Sequence, residues 1–209
     1  LKRVKYADRI VIATTVNETD DIIVELCKKL DISYYRGSEE DVLGRYYETA
    51  VEYGGDIIIR ITSDCPVIDP EVVDYLINFF TNNIEKYDYV SNTLERSYPK
   101  GMDAEIVSFK ALKEAHFNAY DPFDREHVTP FIKKRPQQFR LYNILYKTDM
   151  SRCRWTLDTP EDLELISKIF EFLYYQNTFF SLNDIFSLME RKLEWAAINA
   201  HIEQKKTDK

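Results

Sequence analysis

Cysteine and histidine are scarce, with 3 of each in 209 residues. Cys27, Cys65 and Cys153 are odd in number, far apart and without metal-ligand spacing. That argues against a disulfide framework and places the chain in a reducing cytoplasm. No apolar run is long enough to cross a membrane, and no signal peptide is visible. No Gly-x-Ser-x-Gly elbow, Walker loop or dinucleotide fingerprint occurs. No Lys/Arg stripe stands out in a chain of net charge −8 and pI near 5.0, so neither nucleic acid nor a membrane is an expected partner. Repeats, low-complexity tracts and flexible linkers are also missing, so residues 1–209 are expected to form one domain. There is no initiator Met, and Leu1-Lys2-Arg3-Val4-Lys5 has the pattern of a helix tail, so upstream sequence is expected to be missing.

What is present suits a folded protein: 44% hydrophobic and 14% aromatic residues. Strand and helix patterns alternate. Arg9–Thr15 is a continuous apolar run, as for a strand covered on both faces. Residues 18–30 show helical spacing, with Ile22, Ile23, Leu26, Cys27 and Leu30 on one side and Asn17 or Thr19 as cap. Ile32–Tyr35 is a short strand. Ser38 with Asp41 forms a candidate capping box for a helix stopping near Gly54-Gly55. Residues 56–62 make the next strand, and Asp69-Pro70 reads as N-cap plus first-turn proline for a helix to about residue 80. Tyr87–Ser91, Ala104–Phe109, Phe139–Tyr146 and Arg154–Asp158 are further strands. Lys110–Asn118 is helical, and residues 122–134 look helical but carry Pro130. Thr159 and Ser181, the latter with Asp184, open two last helices. The first half therefore predicts βαβαβα with right-handed crossovers and a parallel sheet. The wide apolar stripe on 161–175 is read as core burial, with a homodimer face as the alternative.

In open parallel sheets, ligands sit beyond the carboxyl ends of the strands. Asp64, in Thr62-Ser63-Asp64-Cys65-Pro66, lies just past such an end, and so does Asp158. Two such carboxylates, from distant parts of the chain, suit one divalent cation. Mg²⁺ takes one or two carboxylates and fills its shell with phosphate oxygens and water. A cation would also offset the field of an acidic chain that handles an anion. The simpler reading of each Asp is a turn or cap residue. Arg36-Gly37-Ser38 opens a helix N-terminus, but Glu39, Glu40 and Asp41 disfavour an anion there. A base or ribose fits better, and an ordinary capped helix is the simpler reading. Arg125-Glu126-His127-Val128-Thr129-Pro130 could clamp a carboxylate and sugar hydroxyls, or be a surface helix. The loop Arg96–Asp103 combines cations, an aromatic and a Gly. His116 and His201 stand alone and are read as incidental.

Taken together, several segments carry a resemblance. They are Ile10–Thr15, Arg36-Gly37-Ser38-Glu39 with Asp41-Val42-Leu43, Arg60-Ile61-Thr62-Ser63-Asp64-Cys65-Pro66-Val67-Ile68-Asp69-Pro70, and Ser91-Asn92. Gly101-Met102-Asp103-Ala104-Glu105, Arg125–Pro130 and Arg154-Trp155-Thr156-Leu157-Asp158-Thr159-Pro160-Glu161-Asp162 complete the set. The chain resembles the spore coat polysaccharide biosynthesis protein F family, itself similar to the CMP-KDO and acylneuraminate cytidylyltransferases. The resemblance implies a three-layer α/β/α nucleotidyltransferase fold of the nucleotide-diphospho-sugar transferase type, with a mostly parallel central sheet. It implies transfer of CMP from CTP to a sugar, an acidic one, with release of pyrophosphate and with Mg²⁺ as cofactor. In its terms Asp64 and Asp158 are the metal and catalytic residues, and Arg36, Gly37 and Ser38 the nucleotide-side loop. Asp103, Arg125, Glu126 and His127 fall on the sugar side, and Arg125, Arg96 or Arg154 would hold a sugar carboxylate. It also implies a first strand and a Gly- and Arg-rich phosphate loop ahead of Leu1. Two other readings compete. A glycosyltransferase on a similar fold would carry Asp-x-Asp where this chain has Ser63-Asp64-Cys65-Pro66. A non-catalytic sugar- or partner-binding homologue would lack the phosphate loop altogether.

Overall fold

β1 (Val11–Thr15) and β2 (Ser33–Gly37) pair in parallel, Thr14 opposite Arg36, and α1 (Asp21–Leu30) makes the crossover that parallel pairing needs. The computed structural model describes residues 1–202, so residues 203–209 of the expected domain lie outside the described residues. The apolar face expected of α1 divides. Val24 and Cys27 are buried, while Ile22, Leu26 and Leu30 stay exposed. Neither Asn17 nor Thr19 caps this helix, because a 3-10 turn, Glu18–Asp20, precedes it. Asp20 instead accepts hydrogen bonds from the Thr14 and Thr15 hydroxyls and the Thr15 N–H. Those bonds hold its pKa down at about 2. α2 (Val42–Tyr53) is capped by Asp41, which accepts from the Gly44 N–H. Only half of the expected Ser38 box forms: the Ser38 hydroxyl accepts the Asp41 N–H, but the Asp41 carboxylate turns to the Gly44 N–H instead of back to Ser38.

β3 (Ile57–Arg60) leaves the parallel series expected of the first half. It belongs to a second sheet of order β3-β5-β4-β6, with β4 (Tyr89–Ser91), β5 (Glu105–Ser108) and β6 (Leu141–Asn143). β5 is antiparallel to both neighbours, while β4 and β6 are parallel. The reason is connectivity. α3 (Pro70–Asn82) carries the chain over between β3 and β4 and preserves direction, whereas β4 reaches β5 through a loop and reverses. The strand expected over Arg154–Asp158 contracts to a single parallel bridge, Lys100 to Arg154. The helical pattern over 122–134 breaks into α5 (Pro122–His127) and α6 (Pro130–Lys133). Val128 between them has φ 72°, and Pro130 supplies no N–H to continue the first helix.

Neighbouring β5 residues face opposite ways, as strand geometry requires. Ile106 joins a core with Leu76, Phe80, Trp155, Leu165, Ile169 and Ile185. That side is covered by α3, α7 (Pro160–Leu173) and α8 (Leu182–Arg191). Val107 joins a core with Leu43, Tyr89, Leu112 and Ile132, under α2, α4 (Phe109–Asn118) and α6. Helices thus cover both faces of the sheet, giving three layers. The apolar stripe of α7 is largely core, with Leu165, Ile166, Ile169 and Leu173 buried and Leu163 left 54% exposed. Asp69 caps α3 through the Glu71 N–H, as the sequence predicts, and its other oxygen receives the Leu182 N–H at the start of α8.

Two local constraints fix the sheet's carboxyl-end rim. Glu105, buried at the start of β5, accepts from the Tyr89 and Thr129 hydroxyls and pairs with Lys133 and Arg60. Burial opposes its charge, but Lys133 and Arg60 outweigh that and hold its pKa at about 2. Gly101 has φ 94° and lies against residue 155, where a Cβ would stand 2.3 Å from the Trp155 carbonyl oxygen.

Glu105→Gln should lower stability by roughly 3–5 kcal/mol, because it leaves two partly buried cations without their counter-charge. The native carboxyl is depressed from 4.5 to about 2. Its contribution is therefore complete above about 4.5 and is lost as pH falls toward 2. Urea midpoints measured across that window should fall for the wild type and change less for the variant. Gly101→Ala, which adds a clash to an unfavourable φ, should cost more than about 1 kcal/mol in the same assay.

Candidate functional site

The turn after β3 delivers Asp64 to the rim. The Cys65 N–H bonds to the Thr62 carbonyl and the Ile68 N–H to that of Cys65, so the chain folds back at once. Asp64 is half-buried and gripped on both sides: one carboxylate oxygen accepts from the Thr62 hydroxyl and the other from the Thr156 hydroxyl at 3.1 Å. Its backbone carbonyl receives the Leu157 N–H at 2.9 Å. Leu157 directly precedes Asp158, so the two candidate carboxylates sit on touching segments. Thr156, in that contact, is 92 residues from Asp64 in sequence.

The segment carrying Asp158 is held from beneath. The Lys100 N–H donates to the Cys153 carbonyl at 2.9 Å, and the Trp155 N–H to the Lys100 carbonyl at 2.8 Å. Gly101 permits this approach. Arg154 is buried. Its Nε donates to one oxygen of Asp162 at 2.9 Å and its Nη2 to the other at 2.7 Å. The same Nη2 donates to Asp158 Oδ2 at 2.7 Å, and the Asp158 side chain is otherwise 41% exposed. Asp162 is fully buried. Burial opposes its charge, but bonds from Arg154 and Asn199 hold its pKa at about 2.

The loop before β5 is itself held in place. Asn92, fully buried, donates to the Met102 carbonyl and accepts the Ala104 N–H, which fixes Asp103 between them. Asp103 and Arg96 make a two-pronged pair at 2.6 and 2.7 Å. The Lys100 ammonium makes no ion pair among the described residues. Burial, then Arg154 and Arg96, lower its pKa, with Asp103 opposing. Cys65 is buried beside Asp64, and burial followed by that charge raises its pKa to about 12. It is thus a neutral thiol and not a nucleophile.

Asp64 and Asp158 fit a hard cation. Asp64 Oδ2 receives only the Thr156 hydroxyl and keeps a lone pair, Oδ1 receives the Thr62 hydroxyl and, at 3.6 Å, the Cys65 thiol, and Asp158 Oδ1 has no protein partner among the described residues. No group of three His, Cys, Asp or Glu side chains with metal-site geometry occurs among the described residues. A pair of oxygen ligands that leaves most of the shell to phosphate and water is the pattern Mg²⁺ prefers.

The other residues singled out from the sequence lie elsewhere in the bond network. Arg36 donates to the Thr15 and Asn17 carbonyls and pairs with Asp21, so its guanidinium braces the turn after β1. Gly37 is buried at the end of β2, and Ser38 precedes the cap of α2. Arg125 pairs with Asp41 and donates to the His116 carbonyl, which fastens α5 to the start of α2. Glu126 is exposed, and His127 stands edge-on to Phe123 at 4.4 Å. The Asp41–Arg125 pair therefore joins the expected nucleotide-side and sugar-side segments to each other. No hydrogen bond or ion pair among the described residues links either to Asp64 or Asp158. Arg96 and Arg154, considered for a sugar carboxylate, are committed to Asp103 and to Asp158 with Asp162. Sequence reasoning noted Lys100 only as one cation of the Arg96–Asp103 loop, and passed over Thr62, Thr156, Asp162 as an ion-pair partner, and Asn199. Only Asp162 carried a signal, its place three residues after a Thr cap.

A sequence model described as cytidylyltransferase matches residues 1–190. An uncharacterised protein of Methanocaldococcus jannaschii is 34% identical over 207 residues, 98% of this chain and 82% of that protein. The spore coat polysaccharide biosynthesis protein SpsF of Bacillus subtilis is 34% identical over 171 residues, 80% of this chain and 69% of its own length. A solved cytidylyltransferase from Leptospira borgpetersenii superposes with a TM-score of 0.89 at 30% identity, covering 97% of this chain and 85% of that one. With the match spanning nearly all of the chain, and the three-layer fold shared, the protein belongs to the cytidylyltransferase family.

Proposed function

We propose that the protein transfers CMP from CTP to an acidic sugar, with release of pyrophosphate and with Mg²⁺ as cofactor. The product would feed the synthesis of a surface or spore-coat polysaccharide, a reading supported by the name of the Bacillus subtilis relative. The observation that supports the chemistry is the Leu157 N–H bond to the Asp64 carbonyl, which brings the segments carrying the two carboxylates into contact.

In the reaction, a sugar hydroxyl oxygen forms a bond to the α-phosphorus of CTP. The bond from that phosphorus to the bridging oxygen breaks, and pyrophosphate leaves with the electron pair. The hydroxyl proton passes to water. Asp64 and Asp158 would hold Mg²⁺, which when bound neutralises phosphate charge and favours ionisation of a hydroxyl it touches. Thr62 and Thr156 fix the orientation of Asp64, and Arg154 that of Asp158. Fixed ligands of this kind need no reorganisation when charge develops. Lys100 takes the part first given to Arg125, Arg96 or Arg154, meeting an anionic group of the substrates at the rim. An acidic chain needs such a local cation to receive anions. The Arg36-Gly37-Ser38 turn would face the nucleotide through its backbone and the Ser38 hydroxyl. Glu126 and His127 offer partners for sugar hydroxyls, and Asp103 shapes the substrate side of its loop. The reduced thiols Cys27, Cys65 and Cys153 suit work in the cytoplasm.

Incubation with CTP, Mg²⁺ and a panel of acidic sugars should give metal-dependent pyrophosphate release with at least one of them. Silence across the whole panel would count against the proposal. Asp64→Asn and Asp158→Asn should each lower kcat by about 10²- to 10³-fold, the scale of losing one group that stabilises transition-state charge. A wild-type rate in either variant removes that residue from the site. Lys100→Met should raise KM for one substrate about tenfold or more while the protein stays folded, as expected for loss of a charged hydrogen bond. Unchanged KM for both substrates would exclude the role given to Lys100.

A further inference from the structure

The family match ends at residue 190, but the chain continues across the larger core. Residues 193–197 form a 3-10 turn, and Trp195 and Ile198 pack against that core. Asn199 follows and is 3% exposed. Its amide nitrogen donates twice, to the Arg154 carbonyl at 2.9 Å and to an Asp162 carboxylate oxygen at 2.8 Å. A side-chain amide has two hydrogens on one planar nitrogen, so both are used and their directions are fixed.

We infer that Asn199 is a positioning residue for Asp158, acting through Arg154 and Asp162, so that the segment beyond the family match completes the candidate cation site. The inference rests on the reading of Asp158 as a cation ligand. Its physical basis is a closed ring of bonds. Arg154 Nε and Nη2 hold Asp162, and Arg154 Nη2 reaches on to Asp158. The Asn199 amide ties the backbone of Arg154 to the carboxylate that its own side chain grips. This fixes the separation between the root and the head of the arginine. The guanidinium then cannot slide along Asp162, and the Asp158 carboxylate that it steers keeps one direction. Loss of the amide removes a donor from a buried carbonyl and from one carboxylate oxygen, and the ring loses the brace between them.

Mn²⁺ is the probe, titrated into the whole protein with and without CTP while free Mn²⁺ is followed by electron paramagnetic resonance. Metal-free CTP affinity and thermal melting are measured in parallel. Asp158→Asn should weaken Mn²⁺ binding at least about tenfold, and Asn199→Ala by about tenfold, the scale of losing a partner that orients a metal ligand. Metal-free CTP affinity should not change. Asn199→Ser keeps one donor and should fall between the wild type and the alanine variant; if the alanine variant does not fold, the serine variant decides. Ile198→Ala loosens the same segment without touching the amide, and should lower the melting temperature but not Mn²⁺ affinity. Wild-type Mn²⁺ affinity in the Asn199 variants beside weak binding in Asp158→Asn would overturn the inference alone. Equal weakening in Ile198→Ala would overturn it too, as a general loosening. Wild-type affinity in Asp158→Asn would instead remove the cation-site reading, and the inference with it.

Discussion

Arg154 lies buried with its guanidinium against both oxygens of Asp162, and the rim of the sheet is arranged around that pair. Asp162 does several things at once. It closes the capping box of α7 with Thr159, accepts the Asp158 N–H, and receives Asn199. Burying two charges is costly unless every remaining donor and acceptor is met. Here each Asp162 oxygen has two or more donors. The pair therefore has few alternative arrangements, and the chain from 154 to 162 is fixed in one conformation. Asp158 is exposed, yet it inherits that rigidity through Arg154.

The same logic governs the other half of the rim. Glu105 is buried at the edge of β5 with Arg60, Lys133, Tyr89 and Thr129 around it, which ties β3, β4, β5 and α6 at one level. Asp64 leaves β3 four residues after Arg60 and is gripped by hydroxyls from its own turn and from residue 156. Hydroxyls hold a carboxylate without cancelling its charge. Arginine at Asp158 leaves one oxygen open, which again preserves a ligand. In the proposed reading, an acidic protein thus keeps two carboxylates available to a cation and leaves Lys100 to meet an anion.

The sequence was most legible where local chemistry decides the outcome. Asp69-Pro70, Thr159 with Asp162, and Ser181 with Asp184 each start a helix as predicted, because a cap needs only a few consecutive residues. The turn that carries Asp64 beyond β3 was recognisable for the same reason, whereas the strand expected to end at Asp158 is reduced to one bridge at Arg154. The internal partners of Arg36 and Arg125 could not be read from the sequence, because a cation beside a helix N-terminus looks alike whether its partner is a ligand or Asp21 and Asp41. The position of β3 was also beyond reach, since the strand pattern of Ile57–Arg60 says nothing about which edge will receive it.

By itself, the sequence determined the alternation of strands and helices, most of the caps, the carboxylate beyond β3 and the likeness to cytidylyltransferases. These rest on short-range periodicity and on motifs a few residues long. Only the tertiary structure decided that β3 joins β5, that Arg154 is committed to Asp158 and Asp162, and that Asn199 closes the ring. Each of those depends on groups far apart in the chain meeting within hydrogen-bond distance. Burial is what makes such meetings specific, because a charge removed from water must find its particular partner.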